Sequence, residues 1–125
     1  MNAERLARGL RAVESAREWL RRETQATPAA VCAGTLAEAY AAHYAFALGQ
    51  LDRALSDSLE GRVAPNGHGS LARVRVLRRC VSELLAYCDR RAREPLPSGE
   101  GARGQLCAIR RARAELTPIL GLALK

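Results

Sequence analysis

Chemistry in a small protein needs nucleophiles, acid-base groups or metal ligands gathered in one place, and few residues of this chain are spaced to supply that. Cys32, Cys80, Cys88 and Cys107 show no CxxC spacing and no accompanying pair of histidines, so neither a zinc site nor a redox motif is written in them. Cys80 and Cys88 lie on one predicted helix, roughly 12 Å apart along its axis, which is too far for a disulfide; the cysteines read as buried free thiols. His43 has Glu38 and Tyr40 nearby. No second histidine or carboxylate cluster completes a metal site or acid-base pair there, so it reads as a packed or half-exposed side chain. The run Gly99 to Gly104 fits GxGxxG ahead of a helix, and its backbone amides with Arg103 have the chemistry to cradle a phosphate. That fingerprint belongs after a β-strand, however, and here the residues before it are Pro95-Leu96-Pro97-Ser98 in a chain without strand signal, so the run reads as a linker. No serine, cysteine or aspartate stands in a recognisable nucleophile setting.

Arg62 and His68 are the remaining pair with catalytic potential. Their five-residue separation resembles the RxxxxxH motif of HEPN-type helical ribonucleases, and that resemblance implies attack on an RNA phosphodiester. Pro65 and Gly67 place the pair in a loop. The residues as a whole predict a protein that is not an enzyme and uses no cofactor or metal, with a HEPN-like ribonuclease using Arg62 and His68 as the alternative.

The elements that would position any site are helical. The chain has 125 residues, 48% of them hydrophobic, with 24 alanines and five aromatics (Trp19, Tyr40, Tyr44, Phe46, Tyr87); that balance suits one domain over 1–125 built by close helix packing. Leu6, Leu10, Val13, the Ala16/Arg17 level and Leu20 recur at helical spacing and predict a first helix from about Ala3 to Thr24. Thr27-Pro28 has the form of a cap followed by proline at the first helical position, so a second helix is predicted from Pro28 to Gly61. Its stripe is Val31, Leu36, Tyr40, Tyr44, Leu48, Leu51, Leu55 and Leu59, and its length of about 45 to 50 Å at 1.5 Å per residue would make it the spine of the bundle. Gly34 and Gly49 within it are expected to allow a close neighbour or to mark a bend.

Val63 to Gly69 reads as a loop, and Ser70 as the cap of a third helix with the core stripe Leu71, Val74, Leu77, Val81, Leu84 and Cys88. After a connector over residues 95–104, Leu106, Ile109, Ala112 and Leu116 define a fourth helix. Thr117-Pro118 should kink or end it and open a short C-terminal turn through Ile119 and Leu120, whose apolar tail covers the bundle end or a partner. The predicted fold is an all-α, up-and-down four-helix bundle. No stretch approaches the roughly 20 apolar residues of a membrane span, and Met1 to Arg22 is charged throughout, so a cytoplasmic protein with no membrane partner is expected.

Charge is distributed unevenly along this bundle. Residues 1–60 hold 7 arginines against 8 acids, a net of −1, while residues 61–125 hold 13 basic residues against 5 acids, a net of +8. Arginine grips phosphate bidentately, and neutralising phosphates releases condensed counterions, so nucleic acid, RNA or DNA, is the first partner expected. The candidate nucleic-acid-binding residues are Arg75, Arg78, Arg79, Arg90, Arg110 and Arg111. Only one aromatic, Tyr87, lies in the basic half, which argues for backbone-directed contact over a stacking platform. An acidic protein partner and a merely solvated basic face are the alternatives.

The segments AlaLeuGlyGlnLeuAspArgAlaLeu (47–55), LeuAlaArgValArgValLeuArgArgCysValSerGluLeuLeuAla (71–86) and GluLeuThrProIleLeuGly (115–121) resemble the accessory variability determinant proteins of diversity-generating retroelements. Those proteins belong with the four-helix proteins encoded in intervening sequences of ribosomal RNA genes. The resemblance implies a homo-oligomeric barrel of four-helix protomers that binds a reverse transcriptase and its template through a basic surface. The expected function is that of a non-enzymatic accessory protein that self-associates and binds nucleic acid, a nucleic-acid enzyme, or both. A protein-protein adaptor without nucleic-acid binding is the alternative from a different class.

Overall fold

The computed structural model describes residues 2–34, 38–58 and 69–125, and among them there is no strand. Four helices form, α1 (Asn2–Cys32), α2 (Glu38–Ser58), α3 (Ser70–Ala92) and α4 (Glu100–Gly121), followed by a 3₁₀ turn over Leu122–Leu124. The all-α four-helix bundle expected from the periodicity is what folds.

Helix directions follow from cross-helix pairs. Arg17 meets Asp52, and Glu23 meets Tyr44, which sets α1 and α2 antiparallel. Arg113 meets Asp89, and Arg78 meets Leu124, which sets α3 and α4 antiparallel. Arg5 meets Lys125 and Glu23 meets Arg111, so α4 opposes α1 and the chain runs up, down, up, down. Packing is uneven around the bundle: α2 lies mainly on α4 and α1, and meets α3 only sparsely.

The core is aliphatic. Leu20, Leu48, Leu77, Leu106, Leu116, Leu120, Val13 and Val81 are its largest fully buried side chains, contributed by all four helices. Each removes apolar surface worth about 1.5 to 3 kcal/mol from water, and that burial offsets the ordering entropy of helices that would be marginal alone. Of the α3 stripe, Val74, Leu77, Val81 and Cys88 are buried, Leu84 is half-buried and Leu71 is exposed.

Three boundaries differ from the sequence expectation. Thr27-Pro28 does not start a helix: α1 runs through it to Cys32, and at 31 residues α1 is the long element, while α2 has 21. Thr27 is buried and its hydroxyl donates to Glu23 O, so the side chain bonds backward along α1 and does not cap a new helix. The chain turns at Gly34, whose φ of +77° is a left-handed conformation that glycine adopts without strain. Gly34 is therefore a helix terminator, not a packing glycine in a spine.

At the third helix, Gly69 occupies the cap position with no side-chain cap bond, and Ser70 is already helical. The connector before α4 is also shorter than expected, since α4 begins at Glu100. Gly101 and Gly104 lie inside α4 where it crosses α2. A methyl at Gly104 would stand 2.8 Å from Tyr40 O and 3.1 Å from His43 Cβ, so glycine is what lets the two backbones approach. Pro118 is accommodated within α4, which continues to Gly121 before the 3₁₀ turn. Thr117 donates its hydroxyl to Arg113 O there, as Thr27 does in α1. The tail covers the bundle end: Ala123 is buried close to Gly9, and Arg5 and Arg78 hold the carbonyls of Lys125 and Leu124.

Candidate nucleic-acid interface and the neighbouring groove

The six arginines nominated from sequence divide by what they touch. Arg78 donates to Leu124 O at 2.8 Å and anchors the C-terminal turn. Arg110 donates to Ala92 O at 3.2 Å and Glu94 O at 3.0 Å, satisfying carbonyls that the end of α3 leaves open. Arg111 pairs with Glu23 at 2.8 Å. These three are committed to holding the bundle together. Arg75, Arg79 and Arg90 are exposed and, among the described residues, make no ion pair or side-chain hydrogen bond.

The three uncommitted arginines share a face. At 3.6 residues per turn they fall within a sector of roughly 60° on α3, and Arg75 to Arg90 spans about 22 Å along the axis. Ala72, Ala86 and Arg93 occupy the same sector, and Ser82 and Glu83 lie about 20° beyond its two edges. Arg93 is partly engaged by Asp89 at 3.2 Å, a carboxylate that Arg113 also holds at 2.8 Å. The result is a basic stripe with three open guanidinium groups, a fourth at its end and the exposed Glu83 carboxylate at its border.

A second cluster joins α1, α2 and α4. Tyr44 donates its hydroxyl to Glu23 Oε1 at 3.1 Å, the oxygen that Arg111 Nε also approaches. Burial pushes the Tyr44 phenol well above its ordinary value and the Glu23 charge pushes it further, against the opposing effect of Arg111, so it remains a donor. These side chains and Cys107 border a cavity of about 320 Å³. Glu23 is engaged from two sides, which makes the cluster a tie between helices. Cys107 is exposed, as is Cys32, whereas Cys80 and Cys88 are buried; the expectation that all four thiols lie inside fails for the first two. Burial pushes the Cys88 thiol up to about 11.

Sequence reasoning missed the groove between α2 and α3. It has a volume of about 380 Å³, a floor of Leu51, Leu55 and Ile109, and Phe46 and Tyr87 at its sides. Phe46 is 57% exposed and Tyr87 is 37% exposed. Arg91 lies against Tyr87, with its guanidinium 5.9 Å from the ring centre and a hydrogen bond of 3.3 Å to the hydroxyl. The available signal was Phe46, a large apolar residue off the buried stripe of α2.

His43 is exposed on α2 with its ring over Gly101 of α4. Arg62 and His68, the ribonuclease-like pair, lie outside the described residues. Among the described residues no group of histidine, cysteine and carboxylate side chains is placed to hold a metal ion, and no helix is long and apolar enough to cross a membrane. No protein-family model, curated protein or solved structure matches this chain.

Proposed function

We propose that this chain is a non-enzymatic accessory protein that binds nucleic acid through the outer face of α3. The observation that carries the reading is the stripe of Arg75, Arg79 and Arg90, three exposed guanidinium groups on one helix face bordered by the carboxylate of Glu83. Its length of about 22 Å covers six or seven phosphates of one strand at about 3.4 Å per step, so three or four of them meet an arginine. The stripe presents no aromatic side chain, and the contact is therefore with the sugar-phosphate backbone and tolerant of sequence. The resemblance of residues 47–55, 71–86 and 115–121 to accessory variability determinant proteins points the same way.

Fluorescence anisotropy of labelled RNA and duplex DNA with rising salt tests the reading. Three neutralised phosphates give a slope of log K against log salt of about −2.7 on duplex DNA and about −2.1 on a single strand. Absence of binding at low salt, or affinity that does not change with salt, would overturn it.

A further inference from the structure

We infer that the cavity shared by α1, α2 and α4 is a binding site for a free α-amino acid with an apolar side chain. The ligand's carboxylate meets the guanidinium of Arg111, and its ammonium meets the carboxylate of Glu23. The inference is independent of nucleic-acid binding and uses a different part of the bundle.

The first observation is what Arg111 and Glu23 leave open. Arg111 approaches Glu23 Oε1 through Nε at 2.8 Å, and Tyr44 donates its hydroxyl to the same oxygen. A guanidinium also donates through its Nη atoms, and an ionised carboxylate accepts on both oxygens, so the tie between the helices uses only part of either group. Among the described residues no hydrogen bond engages the Nη atoms of Arg111 or Oε2 of Glu23. Both residues line the cavity, and Glu23, at 22% exposure, lies deeper than Arg111 at 56%.

The second observation is the rest of the wall. Its other polar side chains are Tyr44, Thr27 and Cys107. The Tyr44 phenol stays protonated and is spent on Oε1, and the Thr27 hydroxyl is turned back to Glu23 O, so neither competes for the open atoms. The cavity therefore presents one positive and one negative group side by side, with the methyl groups of Ala26 and Ala30 next to them.

A zwitterion fits both observations. A ligand of single charge gains from one of the two groups and is opposed by the other, whereas an α-amino acid carries its ammonium and carboxylate on one carbon and forms a charge-assisted hydrogen bond to each. Its side chain then packs on Ala26 and Ala30, a surface that rewards apolar groups and leaves polar ones without a partner. The volume of about 320 Å³ lies at the small end of ligand pockets, which suits a molecule of this size. Contacts among three helices hold the charged pair in place before a ligand arrives, and that lowers the ordering cost of binding.

Alkylation of the full chain by iodoacetamide, read at each cysteine by mass spectrometry, tests the inference. Cys107 and Cys32 are both exposed, and only Cys107 borders the cavity. Leucine should slow the alkylation of Cys107 in a saturable way while Cys32 keeps its rate. Leucinamide lacks the carboxylate and N-acetyl-leucine lacks the ammonium, and each should protect only at a concentration about tenfold or more higher. Glu23→Gln keeps an acceptor for Tyr44 and removes the charge, so it should weaken leucine binding by a similar factor. Ala26→Trp fills the cavity from an exposed position of α1 and should remove the dependence on leucine, with helicity by circular dichroism unchanged in both variants. Leucine that leaves Cys107 unprotected or protects Cys32 equally would overturn the proposal. So would N-acetyl-leucine as effective as leucine, or protection that persists at full strength in Ala26→Trp.

Discussion

Gly104→Ala should destabilise the bundle although alanine is the better helix former. Within α4 the substitution gains about 1 kcal/mol of helix propensity. The new methyl, however, would stand 2.8 Å from the carbonyl oxygen of Tyr40 and 3.2 Å from its Cα, both backbone atoms of α2. Backbone cannot rotate away, so α2 and α4 must separate along their largest shared surface, and overpacking of this kind costs about 1 to 3 kcal/mol. The expected net change is a loss of up to about 2 kcal/mol after the propensity gain is subtracted. Gly121→Ala on the same helix is the counterpart: Gly121 has φ −56° and no neighbour within 4 Å of an added Cβ, so alanine there should stabilise by about 0.4 to 1 kcal/mol. Gly9→Ala falls between them, because its obstacle is the Cδ2 of Leu77, a side chain able to turn at the expense of core packing. Urea denaturation followed by circular dichroism reads all three against wild type. A Gly104→Ala protein as stable as Gly121→Ala would refute the close α2–α4 crossing.

Other outcomes follow from buried groups. Cys32 and Cys107 should react promptly with a thiol reagent in the native protein, and Cys80 and Cys88 only at the rate of opening; four equally fast thiols would contradict the packing of α3. The raised Cys88 value makes the folded state hold its proton after the unfolded chain has lost it. Stability contributed by the neutral thiol is therefore complete below pH 9 and is lost as pH rises toward 11, at up to about 1.4 kcal/mol per pH unit. Cys88→Ala should flatten that part of the stability profile, and an unchanged alkaline slope would argue against it. Tyr44 adds a loss of the same sign at still higher pH, since its phenol is also held protonated, and Tyr44→Phe should remove it. Leu20→Ala, at a site with no exposure, should cost about 2 to 5 kcal/mol, and a loss under 1 kcal/mol in the same denaturation assay would contradict its place in the core.

The periodic parts of the chain were legible because burial repeats with the helix turn. Val74, Leu77, Val81 and Cys88 on α3, and Leu106, Ile109, Ala112 and Leu116 on α4, are buried as their spacing requires. The errors lie where one residue type serves two local structures. A threonine before proline can cap a new helix or bond back to the carbonyl four residues earlier, and only tertiary burial of Thr27 decides for the second. Glycine is equally ambiguous: Gly34 ends a helix, while Gly101 and Gly104, read as linker, sit inside one because α2 needs the space.

The candidate interface was half legible for a similar reason. The clustering of arginine in residues 61–125 is visible in sequence, but the partners that engage Arg78, Arg110 and Arg111 are Leu124, the end of α3 and Glu23, from 16 to 88 residues away. Long-range pairing leaves no mark on local spacing. The groove was invisible because it depends on α2 and α3 standing apart, a property of helix arrangement and of no single segment.

The most direct test of nucleic-acid binding through α3 is the salt dependence of binding by two triple variants of equal net charge. Arg75→Ala, Arg79→Ala and Arg90→Ala together remove the stripe, while Arg8→Ala, Arg11→Ala and Arg22→Ala remove three exposed arginines of α1. The stripe variant should lose most of its affinity for duplex DNA and about 2.7 from the magnitude of its slope of log K against log salt, with the α1 variant close to wild type. Equal losses in the two variants would mean that net charge, and not the α3 face, binds the polyanion, and would contradict the account.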